Sequence, residues 1–169
     1  EIATQVTLAQ DMTMPVKIYV VDQELELSGT GLGINRGDIL RQYNTTTESY
    51  ALAEVVFAYT EGANTIVAVK RYVDANTLQE NSFNTDDTIT NNTTVASTAM
   101  SGGTEYVIAV PGSTDFTTVG AADNNTGTTF TATGSAAGTG TVYSSYGAPV
   151  DVSTTPTTGT QGQAFAYIF

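Results

Sequence analysis

Asp22, Glu24 and Glu26 alternate along one stretch of the chain. In a strand, Glu24 and Glu26 share a face about 7 Å apart, close enough for a glycosidase pair or a calcium site. A solvated strand face produces the same pattern, and that reading is adopted. Asp86 and Asp87 lie in polar loop sequence and read the same way. "DNNTG" (Asp123–Gly127) resembles half of a calcium loop, but Thr128, Thr129 and Phe130 follow where a Glu is needed. It reads as an Asx-rich turn. "GTGLG" (Gly29–Gly33) mimics a phosphate loop without its Lys or a following helix. Ser and Thr are abundant, yet the chain has no His and no Cys to activate them or to bind zinc. Ser–Lys catalysis would fall to Lys17 or Lys70, both inside β-like stretches. No catalytic, cofactor or metal residue is assigned, and the chain reads as a non-enzyme. Calcium held between subunits stays open.

The charge narrows the partners. Five Lys and Arg against seventeen Asp and Glu give a net charge of −12. Such a surface repels nucleic acid and anionic lipid and suits basic partners or divalent cations. Lys17, Arg36, Arg41, Lys70 and Arg71 are all the bases, so nothing after Arg71 is positive. Charged residues are 13%, below the roughly 25% of an average domain, so Thr, Asn, Ser and Gly must carry the polar surface. No run of apolar residues is long enough for a membrane helix. No signal peptide is visible, and the missing initiator Met suggests a trimmed start.

The elements that must position these residues read as strands nearly throughout. "PVKIYVVD" (Pro15–Asp22) is β-branched and aromatic, and "ELELS" (Glu24–Ser28) alternates acid out, Leu in. Asp38–Asn44 is a short strand and "NTTTES" a polar turn. Ser49–Thr60 has helix-compatible Ala, Leu and Glu, but "EGAN" (Glu61–Asn64) and "TIVAVKRYV" (Thr65–Val73) complete a hairpin, so strand is preferred. "TEYVIAVPG", "DFTTVGA", "TTFTATG", "GTVYSS" and "QAFAYIF" follow as short strands between turn residues. In "TTFTATG", Phe130 and Ala132 fall on one face and Thr129, Thr131 and Thr133 on the other. The expectation is an all-β protein of short antiparallel strands in one or two small sandwich- or barrel-like modules with long polar loops. Residues 1–78 form an N-terminal β module, 79–103 an Asn/Thr-rich linker or long loop, and 104–169 a Thr/Gly-rich β module.

Strands with few Lys and Pro leave their edges poorly guarded, which suits a subunit in a permanent assembly. Arg36, Arg41, Lys70, Arg71 and Tyr72 are candidate interface residues, because Arg and Tyr are enriched at interfaces. Lys70 and Arg71 point to opposite faces of their strand. Phe165, Tyr167 and Phe169 share one face of a C-terminal strand that docks into the core or onto a neighbour. Outer-membrane barrels also end on an aromatic, but they need at least eight strands of about ten residues with an apolar outer face, and the Asn/Thr tract supplies none. Tyr143 and Tyr146 in loop sequence would stack a sugar ring in a glycan-binding alternative.

Thr104–Tyr143 carries an aromatic strand, then "TDFT", "GA", "GTTFTATG" and "GTGTVY". This pattern resembles a module of structural proteins from tailed bacteriophages, marine and cyanobacterial ones in particular. Thr7–Thr77 is similar to a β unit of phage head and tail proteins, with Gly37–Asp38–Ile39 and Val69–Lys70–Arg71 at the shared positions. Tyr72 stands where that unit has glycine. The resemblance implies a virion part, assembled in the host cytoplasm, in many copies, as a homo-oligomer bound to major capsid or tail proteins. Within it, a capsid-surface decoration or cement protein is expected. A neck, tail or fibre component binding host glycan is the alternative, as is a bacterial extracellular filament or surface-layer subunit.

Overall fold

The computed structural model describes residues 21–73 and 80–153, with the backbone of two further strands, Lys17–Tyr19 and Phe165–Tyr167. The side chains of Lys17, Phe165 and Tyr167, and Phe169 entirely, lie outside the described residues. The chain is all-β. Its strands are β1 (Lys17–Tyr19), β2 (Gln23–Ser28), β3 (Ile39–Asn44), β4 (Ser49–Glu61), β5 (Asn64–Tyr72), β6 (Ile89–Ala96), β7 (Glu105–Val110), β8 (Thr129–Thr131), β9 (Thr141–Ser145), β10 (Asp151–Ser153) and β11 (Phe165–Tyr167). Nine of them form one curled antiparallel sheet, a half-barrel, in the order β10-β2-β5-β4-β3-β6-β9-β7-β8. Strands β1 and β11 pair with each other in a separate two-stranded sheet.

Alternation places the cores. In β2, Gln23, Leu25 and Leu27 are buried while Glu24 and Glu26 are half-exposed. Across the register Leu25 faces Val67, Val55 faces Val69, and Leu40 faces Ala53, so these side chains share one face. They form a first core with Phe83 and Ile89. The pairings of β6 with β3 and β9 carry the same face onward to Val142, Ile108, Tyr106 and Phe130, the centre of a second core. Fully burying a Leu or Ile is worth about 1.5–3 kcal/mol, and Leu25, Leu27, Leu40, Ile89 and Ile108 are all essentially inaccessible. The stretch Ser49–Thr60 is strand, as preferred, and turns into β5 through Gly62–Ala63. Gly62 has φ of 61°, which the first position of a two-residue type II′ hairpin loop requires.

Two expectations are corrected. The Asn/Thr-rich tract 79–103 was expected as a linker or long loop, but Ile89–Ala96 within it is β6, between β3 and β9 near the middle of the sheet. Its backbone pairs on both sides, and Thr tolerates a pleated, half-wet position. "DFTTVGA" is not a strand; Phe116–Val119 is a 3-10 turn. Asp115 caps it, with Oδ1 accepting from the Thr117 amide at 3.1 Å and hydroxyl at 2.6 Å. Phe116 is fully buried beneath it.

Thr114 ties this turn to the rest. Its Oγ1 lies 3.0 Å from the Ser97 hydroxyl and accepts the Gly140 amide at 2.8 Å, all in the interior. A side chain on Gly138 would meet Thr114 Oγ1 at 2.3 Å, and one on Gly140 would meet the Phe116 ring at 2.7 Å. Replacing Thr114 with Val keeps the shape but leaves the buried Gly140 amide unpaired. Thr114→Val is expected to lower stability by about 1–3 kcal/mol in chemical denaturation, with the denaturant slope unchanged. A loss within error would show that the hydroxyl is not what ties the loops together.

Candidate functional site

The outer face of the sheet, opposite the two larger cores, carries a small buried cluster of Val21, Val56 and Ala68 beside Phe57 and is otherwise rich in tyrosine. Tyr50 faces Tyr43, and Leu52 faces both Arg41 and Tyr72, so the same face of β3, β4 and β5 carries them all. Phe57 and Tyr59 join them beyond a bulge in β4 and stack with ring centroids 5.9 Å apart. Tyr43, Tyr59 and Tyr72 are 43%, 45% and 37% exposed, so three large rings stand in solvent on one face. Glu24, Glu26, Glu54 and Glu61 lie on the same face, nearest Tyr59 and Tyr72. Tyr72 donates its hydroxyl hydrogen bond to Glu54, and that bond, with lesser contributions from burial and the Glu54 charge, raises its pKa. Burial, then Glu24 and Glu61, raise that of Tyr59.

At the β3–β9 end of this face lies a cleft of about 590 Å³. Its centre is Arg41. The guanidinium carbon sits 4.7 Å from the Tyr50 ring centroid and 4.3 Å from that of Tyr143, within cation–π range of both. Arg41 Nη1 also donates to the Tyr143 hydroxyl at 3.1 Å. Tyr43 lies 4.9 Å from Tyr50 at the mouth, tilted by 52°. Asp86 and Asp87 form part of its wall, beside Thr45. A buried glutamine holds that wall in place: Gln42 donates to the Asn84 carbonyl at 2.9 Å and accepts the Asn84 amide at 2.8 Å. Gln23 grips Phe83 by the same two-way bond, 3.1 Å each way. Asn84 then donates to Asp87 Oδ2 at 2.9 Å, and the Thr45 hydroxyl donates to Oδ1 at 2.9 Å. These bonds, Asn84 foremost, hold the Asp87 carboxyl below the usual aspartate range.

The expected interface residues separate. Arg41 is half-buried in the cleft. Lys70 and Tyr72 lie on the tyrosine face, Lys70 directly across from Glu54. Arg71 points to the other side, as alternation requires, where Nη1 donates to Ser82 at 2.8 Å and Nη2 lies 4.0 Å from Glu80. Arg36 is exposed in the loop before β3. Tyr143 and Tyr146 do not form one sugar platform: both belong to or abut β9, but Tyr146 lines a second, polar cleft of about 770 Å³ beside Gly31–Gly33. Asp123 takes the Asx-turn role expected of "DNNTG", accepting from the Asn125 amide at 2.9 Å and from the Thr128 hydroxyl. Among the described residues no group of three or more acidic side chains is placed to hold a metal ion, and no helix is long and apolar enough to cross a membrane. The Tyr43–Tyr50 pair was missed, although two Tyr flanking a polar turn are a readable sign of it. The outer strands of the sheet, β10 and β8, have three residues each, so its edges are blunted by shortness, contrary to the poorly guarded edges expected.

No protein-family model, curated protein or solved structure matches this chain.

Because Asp87 has a depressed folded pKa, its contribution to stability is complete above the unfolded aspartate pKa and is lost as pH falls through the folded value. Carboxyl NMR is expected to show Asp87 titrating below an ordinary aspartate. The amides of Thr45 and Asn84 should shift in the same acid step, and Asn84→Ala should move the midpoint upward. An Asp87 titration at the ordinary value, unmoved by Asn84→Ala, would sink this account of the wall.

Proposed function

We propose that this chain is a non-enzymatic structural protein of a tailed-phage particle, a decoration or cement protein held in many copies on the capsid surface. The observation that carries the reading is the outer sheet face, where solvent-exposed Tyr43, Tyr59 and Tyr72 stand among glutamates. Tyrosine supplies large, rigid, amphipathic contact area at small entropic cost, and it is enriched where proteins meet. The resemblance of Thr104–Tyr143 to a phage module points the same way. In that module the shared residues Thr114, Asp115, Phe116 and Gly140 serve packing and turn geometry, which is what a durable scaffold needs.

Attachment runs through this face rather than through strand edges, because β8 and β10 are too short to template a partner strand. Glu24, Glu26, Glu54 and Glu61 outnumber Lys70 and the half-buried Arg41 there, so the receiving surface is basic. A neighbouring particle protein bearing Lys and Arg meets that requirement better than another copy of a chain of net charge −12.

The test is mass spectrometry of purified particles from the phage whose genome encodes the chain, before and after a wash at about 1 M salt, where charge attraction is largely screened. Abundant peptides before the wash and depletion after it are expected. Stripped particles should rebind the native chain at least tenfold better than the Tyr59→Glu variant, which stays folded because the ring is exposed. Particles free of the chain, or a gene with no phage assembly genes around it, overturn the proposal.

A further inference from the structure

We propose that the Arg41 cleft binds a neutral oligosaccharide. The inference does not rest on the particle assignment; it follows from the cleft itself. Tyr43 presents a solvent-exposed ring at the mouth, backed by Tyr50 at 4.9 Å. A flat ring of this kind accepts the C–H face of a pyranose, burying apolar area without any charge. The hydroxyls around the sugar ring then need donors and acceptors at fixed places. Arg41 supplies the donors. Its guanidinium is clamped between Tyr50 and Tyr143, so little side-chain freedom is left to lose on binding.

Asp86 and Asp87, which line the same cleft, supply the acceptors. Asp87 is already aimed by Thr45 and Asn84, and Asp86 is exposed. The volume of about 590 Å³ lies within the roughly 300–1,000 Å³ of small-ligand sites.

Charge selects the class. The cleft holds Arg41 against Asp86 and Asp87, +1 − 2 = −1, in a chain of −12. Phosphate and acidic sugars are repelled by that balance. A cationic peptide would be attracted to the carboxylates, but the arginine at the centre opposes its charge. A neutral polyol is the ligand that uses the ring, the donors and the acceptors together.

The experiment is a two-dimensional amide NMR titration of the full chain with maltotriose, cellotriose, mannotriose and chitotriose. Trigalacturonate, inorganic phosphate and tetralysine serve as charged probes. The expected result is saturable shifts at Arg41, Tyr43 and Asp86 with at least one neutral trisaccharide, half-complete at about 1 mM, a usual strength for a small open site. Tyr43→Ala and Asp86→Asn, both at exposed positions, should each weaken that binding by about tenfold, with the remaining spectrum unchanged. Failure of every neutral sugar to give saturable shifts overturns the proposal. So does tighter binding of a charged probe at the same residues, or undiminished binding by Tyr43→Ala.

Discussion

A nine-strand sheet whose two larger cores lie on one face must keep its side-chain alternation in phase across every pairing. A slip of one residue sends a strand's apolar set into solvent. Here the phase is carried from Leu25 on β2 to Phe130 on β8 through seven further pairings. The irregularities respect it. In β4 the extra residue between Val55 and Phe57 moves the later residues by one, so Ala58 rejoins the first core and Phe57 and Tyr59 go to the outer face. In β6 the register advances four positions from Thr90 to Thr94 against two on β9, an even difference, and Val95 still meets the second core. The phase determines both faces at once: the two larger cores on one side and, on the other, the tyrosines beside the small Val21–Val56–Ala68 cluster.

The local half of this was legible. "ELELS" announces its own two faces, "TTFTATG" places Phe130 and Ala132 inside and its threonines outside, and "EGAN" marks the hairpin. The strand over Ser49–Glu61 followed once the hairpin was seen. Each of these signals lies within a dozen residues. β6 was not legible, because "ITNNTTVA" carries almost no apolar signal and looks like a loop. Its place comes from the two strands that flank it, β3 and β9, and alternation within the segment cannot reveal neighbours so far along the chain. Gln23 and Gln42 were hidden for the same reason. A buried glutamine reads as an error in a strand until the Phe83–Asp87 segment arrives to accept and return its hydrogen bonds.

The candidate site was less legible than the fold. Arg41 was singled out for its charge, but its partner Tyr143 stands 102 residues away. They meet only because β6 brings β9 beside β3. The strand that looked like a linker therefore builds the cleft. Once β6 is in place, Arg41 packs against two tyrosine rings, and among the described residues no carboxylate lies within ion-pair distance of it.

The glutamine clamps link that cleft to stability. Gln42 lies on the buried face and Tyr43, the next residue, on the open one, so one strand end holds the Asn84–Asp87 wall from inside while offering a ring outside. Loss of the clamp would leave the part-buried Asn84 amide and carbonyl without their partner and would free the wall that carries Asp86 and Asp87. The cleft is thus rigid because its wall completes the hydrogen bonding of the core. A surface built in this way can evolve new contacts at Tyr43 or Asp86 with little effect on folding. Changes at Gln42 or Asn84 are constrained by the interior, and that division separates the residues free to set specificity from those that only hold them still.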